Sequence, residues 1–100
     1  MAEHLKRGCV IGAEHPSLPG HFPGRPVVPG VVLLDTVRAA AEEAYGAQAL
    51  AGLPQVKFLH PLLPQQSFDI RLSGVPPRIS FECISGTQVL VKGIMEFVSA

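Results

Sequence analysis

His21, Gly30 and Asp35 lie within fifteen residues of one another in the stretch GHFPGRPVVPGVVLLD, residues 20–35. These are residue types that proton transfer beside a carbonyl needs. Imidazole exchanges a proton most readily near neutral pH, and a carboxyl supplies the complementary acid or base. A glycine at a helix start leaves room for a substrate oxygen to reach a backbone N–H, one of the donors the helix itself cannot satisfy. Residues 19–30, PGHFPGRPVVPG, hold four prolines and three glycines. The prolines restrict the chain around His21, so the ring is positioned before any ligand arrives. Each residue alone has a plainer reading: a loop histidine with a structural role, or a carboxylate bonded to local backbone at a helix start. Their grouping in one segment favours chemistry.

The elements that must hold these residues follow from the pattern around them. From Ala13 to Pro29 no helical or strand period survives five prolines, which predicts a long ordered loop of the kind that carries function. GVVLLDTVRAAAEEAY, residues 30–45, predicts a helix that stops at Gly46. Val31, Val32, Leu33, Leu34, Val37, Ala39 and Ala40 make its first half apolar nearly all round, so other structure must enclose it. Asp35 stands in that half, where a carboxylate loses hydration unless it is paired or protonated. Apolar surroundings and the helix start act on its proton in opposite directions, which leaves its protonation state open.

Strands are predicted before and after the helix. HLKRGCVI, residues 4–11, sets Leu5, Cys9 and Ile11 on one face; QVKFLH, residues 55–60, turns Val56 and Phe58 inward. SFDIRLS (67–73), RISFECI (78–84) and QVLVKGIMEFV (88–98) alternate similarly across short turns. The expected architecture is α+β, an antiparallel meander curved around one long helix.

One hundred residues predict a single domain, residues 1–100, whose core would gain from a partner subunit. A net charge of zero provides no long-range attraction for nucleic acid or anionic lipid, and 47% hydrophobic residues argue against disorder. Cys9 and Cys83 have no metal-type spacing and read as free thiols of a reducing compartment. The start of the chain lacks a signal-peptide pattern and no apolar run reaches about 20 residues, so a cytoplasmic location and no membrane partner are expected.

GHFPGRPVVPGVVLLD resembles the signature of the β-hydroxyacyl-acyl-carrier-protein dehydratases of type II fatty-acid synthesis, and VKFLHPLLP, residues 56–64, resembles their second signature. The resemblance covers most of the chain. It implies the hotdog fold, a curved sheet wrapped around a central helix. It also implies dehydration of 3-hydroxyacyl thioesters to trans-2-enoyl thioesters, with no metal or cofactor. His21 matches the catalytic base, Asp35 the acid fourteen positions later, and Gly30 the glycine whose amide holds the thioester oxygen, with Val31 beside it. Aspartate rather than glutamate at the acidic position is similar to the dehydratase-isomerases and to the short dehydratases of aryl-polyene and xanthomonadin pathways. Phe22, Val28, Leu33 and Phe58 are the candidates to line an acyl channel, with ordinary core as their competing role, and Arg25 and Lys57 are candidate carrier-protein contacts. In the family the histidine and the acid come from different subunits, which implies a homodimer here.

The chain departs from the pattern in lacking most of the family's N-terminal segment and in carrying Gln65 and Gln66 where relatives have Gly-Asp, which alters a turn. His4, His15 and His60 offer no convergent metal ligands. Two rival readings stand beside dehydration: a hotdog thioesterase, against which HFPG argues, and a non-catalytic acyl-thioester-binding subunit, against which an intact His21 and Asp35 argue.

Overall fold

The computed structural model describes residues 3–12 and 27–99. Its elements are β1 (Glu3–Cys9), α1 (Gly30–Tyr45), β2 (Gln48–Phe58), β3 (Phe68–Val75), β4 (Arg78–Ser85) and β5 (Gln88–Ser99). All five strands join one antiparallel sheet in the order β1-β3-β4-β5-β2, with α1 packed on one face. This is the hotdog architecture. The expected meander holds for β3, β4 and β5 alone. β2 crosses over to the far side of β5 instead of pairing with β3.

α1 forms over the predicted residues because the run lacks an internal proline and ends at a glycine. Gly46 adopts φ 90°, a value that L side chains rarely take, and donates its N–H to the Glu42 carbonyl at 2.9 Å. Leu33, Val37, Ala40 and Ala41 form a buried stripe spaced for one helical face. They meet the alternating inward residues Ile70 and Leu72 of β3, Ile79, Phe81 and Cys83 of β4, and Met95 and Phe97 of β5. Burial of a side chain such as Leu33 contributes about 1.5–3 kcal/mol.

The sheet does not enclose the helix. Val31 is 71% exposed and Asp35 and Ala39 are exposed on the same side, so one apolar-edged face of α1 stays open in the single chain. Five strands cover one side of a helix, and the near-complete apolar perimeter inferred from sequence asks for more than they supply.

Two irregularities adjust the sheet. Gly8 (φ 68°) marks a bulge between Lys6 and Cys9 that shifts the register against β3. As a result His4 and Lys6, opposite Leu72 and Ile70, share the helix-facing side, and Leu5 points out at 44% exposure, contrary to its predicted place on one face with Cys9 and Ile11. In β2, register shifts on both sides of Gly52 bend the strand over β5, where a Cβ on Gly93 would overlap the Gln55 carbonyl.

The Gln65–Gln66 turn takes the geometry that the family's glycine would favour. Gln65 sits at φ 66° and donates its N–H to Ile11 O at 2.8 Å. The Gln66 side chain accepts from Leu63 N–H at 3.0 Å and donates to Ser85 Oγ at 2.9 Å, which fixes the turn against β4. Cys9 and Cys83 are free thiols, and burial pushes the Cys83 thiol up to about 12.

Candidate active site

The start of α1 is built to leave backbone donors unused. Pro29 occupies the cap position, has no side-chain cap bond, and accepts from Val32 and Leu33 N–H at 3.0 and 3.4 Å. The N–H groups of Gly30 and Val31 have no acceptor among the described residues. No acidic side chain in the first turn answers the positive end of the helix dipole. An oxygen carrying partial negative charge is the natural occupant of such a position.

A cavity of about 260 Å³ opens at this point, lined by Val28, Gly30, Leu33, Phe58, Leu59, His60, Pro61 and Leu62. Two contacts shape it. Val28 donates its N–H to Leu62 O at 2.9 Å, joining the segment before α1 to the segment after β2. The Phe58 ring lies over Gly30 so closely that a Cβ there would come within 2.6 Å of it. Gly30 therefore has a packing reason to lack a side chain.

Three of the four channel candidates, Val28, Leu33 and Phe58, thus converge on one cavity with Gly30. Phe58 differs from its sequence expectation: it is 53% exposed, because it ends β2 at the open cavity and not over the core. Val28 and Leu33 are buried, so they serve the core and the cavity wall together. Val31 does not line the cavity but stands on the open helix face. Lys57 is exposed and lies across from the exposed Lys92 in the β2–β5 pairing. His21, Phe22 and Arg25 fall outside the described residues.

Asp35 is where the environment departs most from the sequence reading. Its side chain is 71% exposed in the single chain, and Oδ1 accepts from Arg38 Nε at 3.1 Å. Asp35 lies four residues after Val31 on the face the sheet leaves open, which is why it keeps its hydration. Its hydrogen bond, followed by its charge, raises the Arg38 guanidinium above its ordinary range. Arg38 also reaches Glu42 at 3.2 Å.

His60 is the cavity residue that sequence reasoning passed over. Its ring Nδ1 lies 3.0 Å from Val89 O, and its backbone N–H reaches Leu90 O at 3.2 Å. The signal available was its place in FLHPLLP beside Phe58. Among the described residues no three histidine, cysteine, aspartate or glutamate side chains group as metal ligands, and no helix is long and apolar enough to cross a membrane.

Comparison with known proteins bears on what this arrangement is for. The family model described as ApeI-like, ApeI dehydratase, matches residues 2–94. The chain belongs to the ApeI-like dehydratase family. Among curated relatives of this ApeI-like chain, the 3-hydroxyacyl-acyl-carrier-protein dehydratase FabZ of Haemophilus influenzae strain Rd is 28% identical over 93 residues, covering 84% of this chain and 63% of its own length. FabZ of Psychromonas ingrahamii is 31% identical over 88 residues, covering 75% and 59%. The chain therefore spans about three fifths of the length of these relatives. In three dimensions it superposes on a chain of the dehydratase heterocomplex ApeI:P from Xenorhabdus doucetiae with a TM-score of 0.84 at 21% identity, covering 95% of this chain and 86% of that one. An uncharacterized protein from Erwinia carotovora subsp. atroseptica gives 0.73 at 19% identity, covering 99% and 94%. At these identities the likeness establishes the fold, and the family rests on the sequence model.

Proposed function

We propose that this ApeI-like chain is a 3-hydroxyacyl-acyl-carrier-protein dehydratase, acting as one catalytic domain over residues 1–100 in the cytoplasm. The observation that carries the reading is the Gly30 amide, without an acceptor among the described residues, in the wall of a mostly apolar cavity in a chain of this family. An acyl thioester fits both features: its chain is apolar and its carbonyl oxygen gains negative charge during reaction.

Dehydration removes a proton from the α-carbon and breaks the bond between the β-carbon and its hydroxyl oxygen. Neutral His21 takes the α-proton, and the electron pair left behind forms the α,β double bond as the C–O bond breaks. Asp35 delivers a proton to the departing hydroxyl, directly or through a water, so that the products are a trans-2-enoyl thioester and water. As negative charge builds on the thioester oxygen, the Gly30 N–H and the helix start stabilise it; one well-aimed donor is worth roughly 3–4 kcal/mol. The residues require no metal or diffusible cofactor for these steps. Val28, Leu33 and Phe58, with Phe22, hold the acyl chain, and Arg25 and Lys57 meet the carrier protein.

The site is completed by a second copy of the chain, with His21 and Asp35 of one site drawn from different subunits. Support comes from two features of the single chain. Asp35 and Val31 lie on a helix face that its own sheet leaves open, and β2 forms an eleven-residue sheet edge with Leu50, Leu53 and Phe58 exposed along it. An edge of that length and polarity invites pairing. The heteromeric neighbour supports a variant of this reading, in which a different chain takes the second place. The resemblance of the Asp-containing motif supports a place in fatty-acid or polyene-type synthesis, the latter of the aryl-polyene or xanthomonadin kind.

Mass-spectrometric detection of water loss from 3-hydroxyacyl carrier-protein substrates of several chain lengths tests the proposal. A loss of 18 Da, the mass of one water, with the thioester intact is expected. Release of free thiol would instead identify a thioesterase, and retention of an unchanged ligand would identify a binding subunit.

A further inference from the structure

Among the described residues, His60 is the one lining residue of the Gly30 cavity with a polar side chain; its seven companions are glycine, proline or hydrocarbon. Its geometry is fixed from behind. A carbonyl oxygen only accepts, so the 3.0 Å contact to Val89 O requires the hydrogen on Nδ1. The backbone adds to this, since Leu59 and His60 both donate to Leu90 O, at 2.8 and 3.2 Å. In the neutral ring Nε2 is then a lone-pair acceptor, with its tautomer set by β5. The residue is exposed as well as cavity-lining, which puts it at the mouth, away from the buried Val28, Leu33 and Leu62.

What passes the mouth of a site for a carrier-linked acyl thioester is the arm on the far side of the sulfur, and that arm bears amide N–H groups. We infer that His60 is a positioning residue whose Nε2 accepts a hydrogen bond from the amide-bearing arm of the thioester and so holds that arm at the mouth of the cavity that Gly30 lines. This rests on the thioester reading above, and its test is separable from that reading.

The test compares two 3-hydroxyacyl substrates with the same acyl chain: the N-acetylcysteamine thioester, which has an amide two carbons from sulfur, and the S-butyl thioester, which has none. H60N keeps a donor for Val89 O and removes the group at Nε2, whereas H60Q puts a polar atom near the Nε2 position. In H60N the KM for the amide-bearing thioester rises roughly three- to tenfold, the range expected for one lost hydrogen bond. Its kcat stays within about twofold, the S-butyl thioester is unaffected, and H60Q recovers most of the loss. His60→Phe, which keeps a ring without nitrogen, repeats the loss if H60N proves unstable. An unchanged KM in folded H60N, or an equal penalty on both thioesters, overturns the assignment.

Calorimetry with a saturated S-alkyl thioether of N-acetylcysteamine, which cannot react, separates the two claims. Binding that weakens in H60N, in a chain that removes no water from any 3-hydroxyacyl thioester, keeps His60 and discards the dehydratase. Water loss with His60-independent binding does the reverse, and a wild-type chain that does not bind the analogue rejects the His60 role.

Discussion

The two ends of α1 are finished in opposite ways. At the C-terminal end the helix is fastened at several points: Gly46 N–H bonds to Glu42 O, Tyr45 Oη donates to Gly74 O at 2.8 Å, and the His4 ring meets Tyr45 edge-on at 4.8 Å. Lys6 Nζ reaches across from β1 to Glu43 at 2.7 Å. At the N-terminal end proline supplies the cap, no carboxylate occupies the first turn, and the Gly30 and Val31 N–H groups have no acceptor among the described residues, with Gly30 in the cavity wall. One end anchors the helix to the sheet, and the other presents donors that no described residue takes up. The contrast separates fold from function along a single element.

That separation can be broken or sharpened by substitution. The largest effects belong to the open end. His21→Ala is expected to lower dehydration by about 10²-fold or more, within the range of roughly 10² to 10⁴ that base catalysis supplies, while circular dichroism and melting remain those of the folded protein. Wild-type turnover in that variant would remove His21 from the mechanism. Asp35→Asn should fall into the same range, since it keeps the volume and loses the transferable proton. Because Asp35 is exposed in the single chain and, among the described residues, bonded to Arg38 alone, the same substitution should barely move the melting temperature.

Gly30→Ala comes next. The added methyl group would meet the Phe58 ring at 2.6 Å, forcing the ring or the helix start to shift. A displacement approaching 1 Å costs on the order of 10²-fold in turnover, and steady-state kinetics beside a melting curve would show rate lost ahead of stability. A rate close to wild type would mean that Phe58 gives way freely and that the close contact matters only for packing.

At the anchored end the signs reverse. Tyr45→Phe removes the bond to the Gly74 carbonyl and is expected to cost about 1 kcal/mol in denaturant unfolding, with turnover within about twofold of wild type. A large kinetic defect there would show that the two ends are coupled. The smallest effect is expected from Lys6→Ala, whose ion pair with Glu43 lies at the surface and should leave both the melting curve and the rate nearly unchanged.

The ease of reading the sequence followed the same division. α1 was legible to the residue because its start and stop are written in Pro29, Gly30 and Gly46, and β3, β4 and β5 were legible because buried and exposed residues alternate along them. The first half of β2, QALAGLP, was not: alanine, glycine and proline have little strand preference, and that half forms because β5 offers a partner. Its place beyond β5 was equally unreadable, since alternation assigns faces but not neighbours. Leu5 was misassigned because one bulge at Gly8 reverses the alternation before it. In the site, the motif brought Val28, Gly30, Leu33 and Phe58 to one place, and their meeting at the cavity agrees with it. Asp35 was read as enclosed because a one-dimensional pattern counts apolar neighbours without revealing which side the sheet takes. His60 was weighed only as a metal ligand, because its place beside Phe58 does not announce that Val89, far along the chain, holds its ring at 3.0 Å.

The missing side chain at Gly93 has consequences for how this protein can change. Because the Gln55 carbonyl occupies the space a Cβ would need, the bend of β2 across β5 is locked to a single residue type. A lineage could exchange many outward-facing strand residues, but any replacement at 93 would have to move β2, and with it Phe58 and the wall of the cavity. The shape of the cavity wall and this constrained point of the sheet are therefore inherited together.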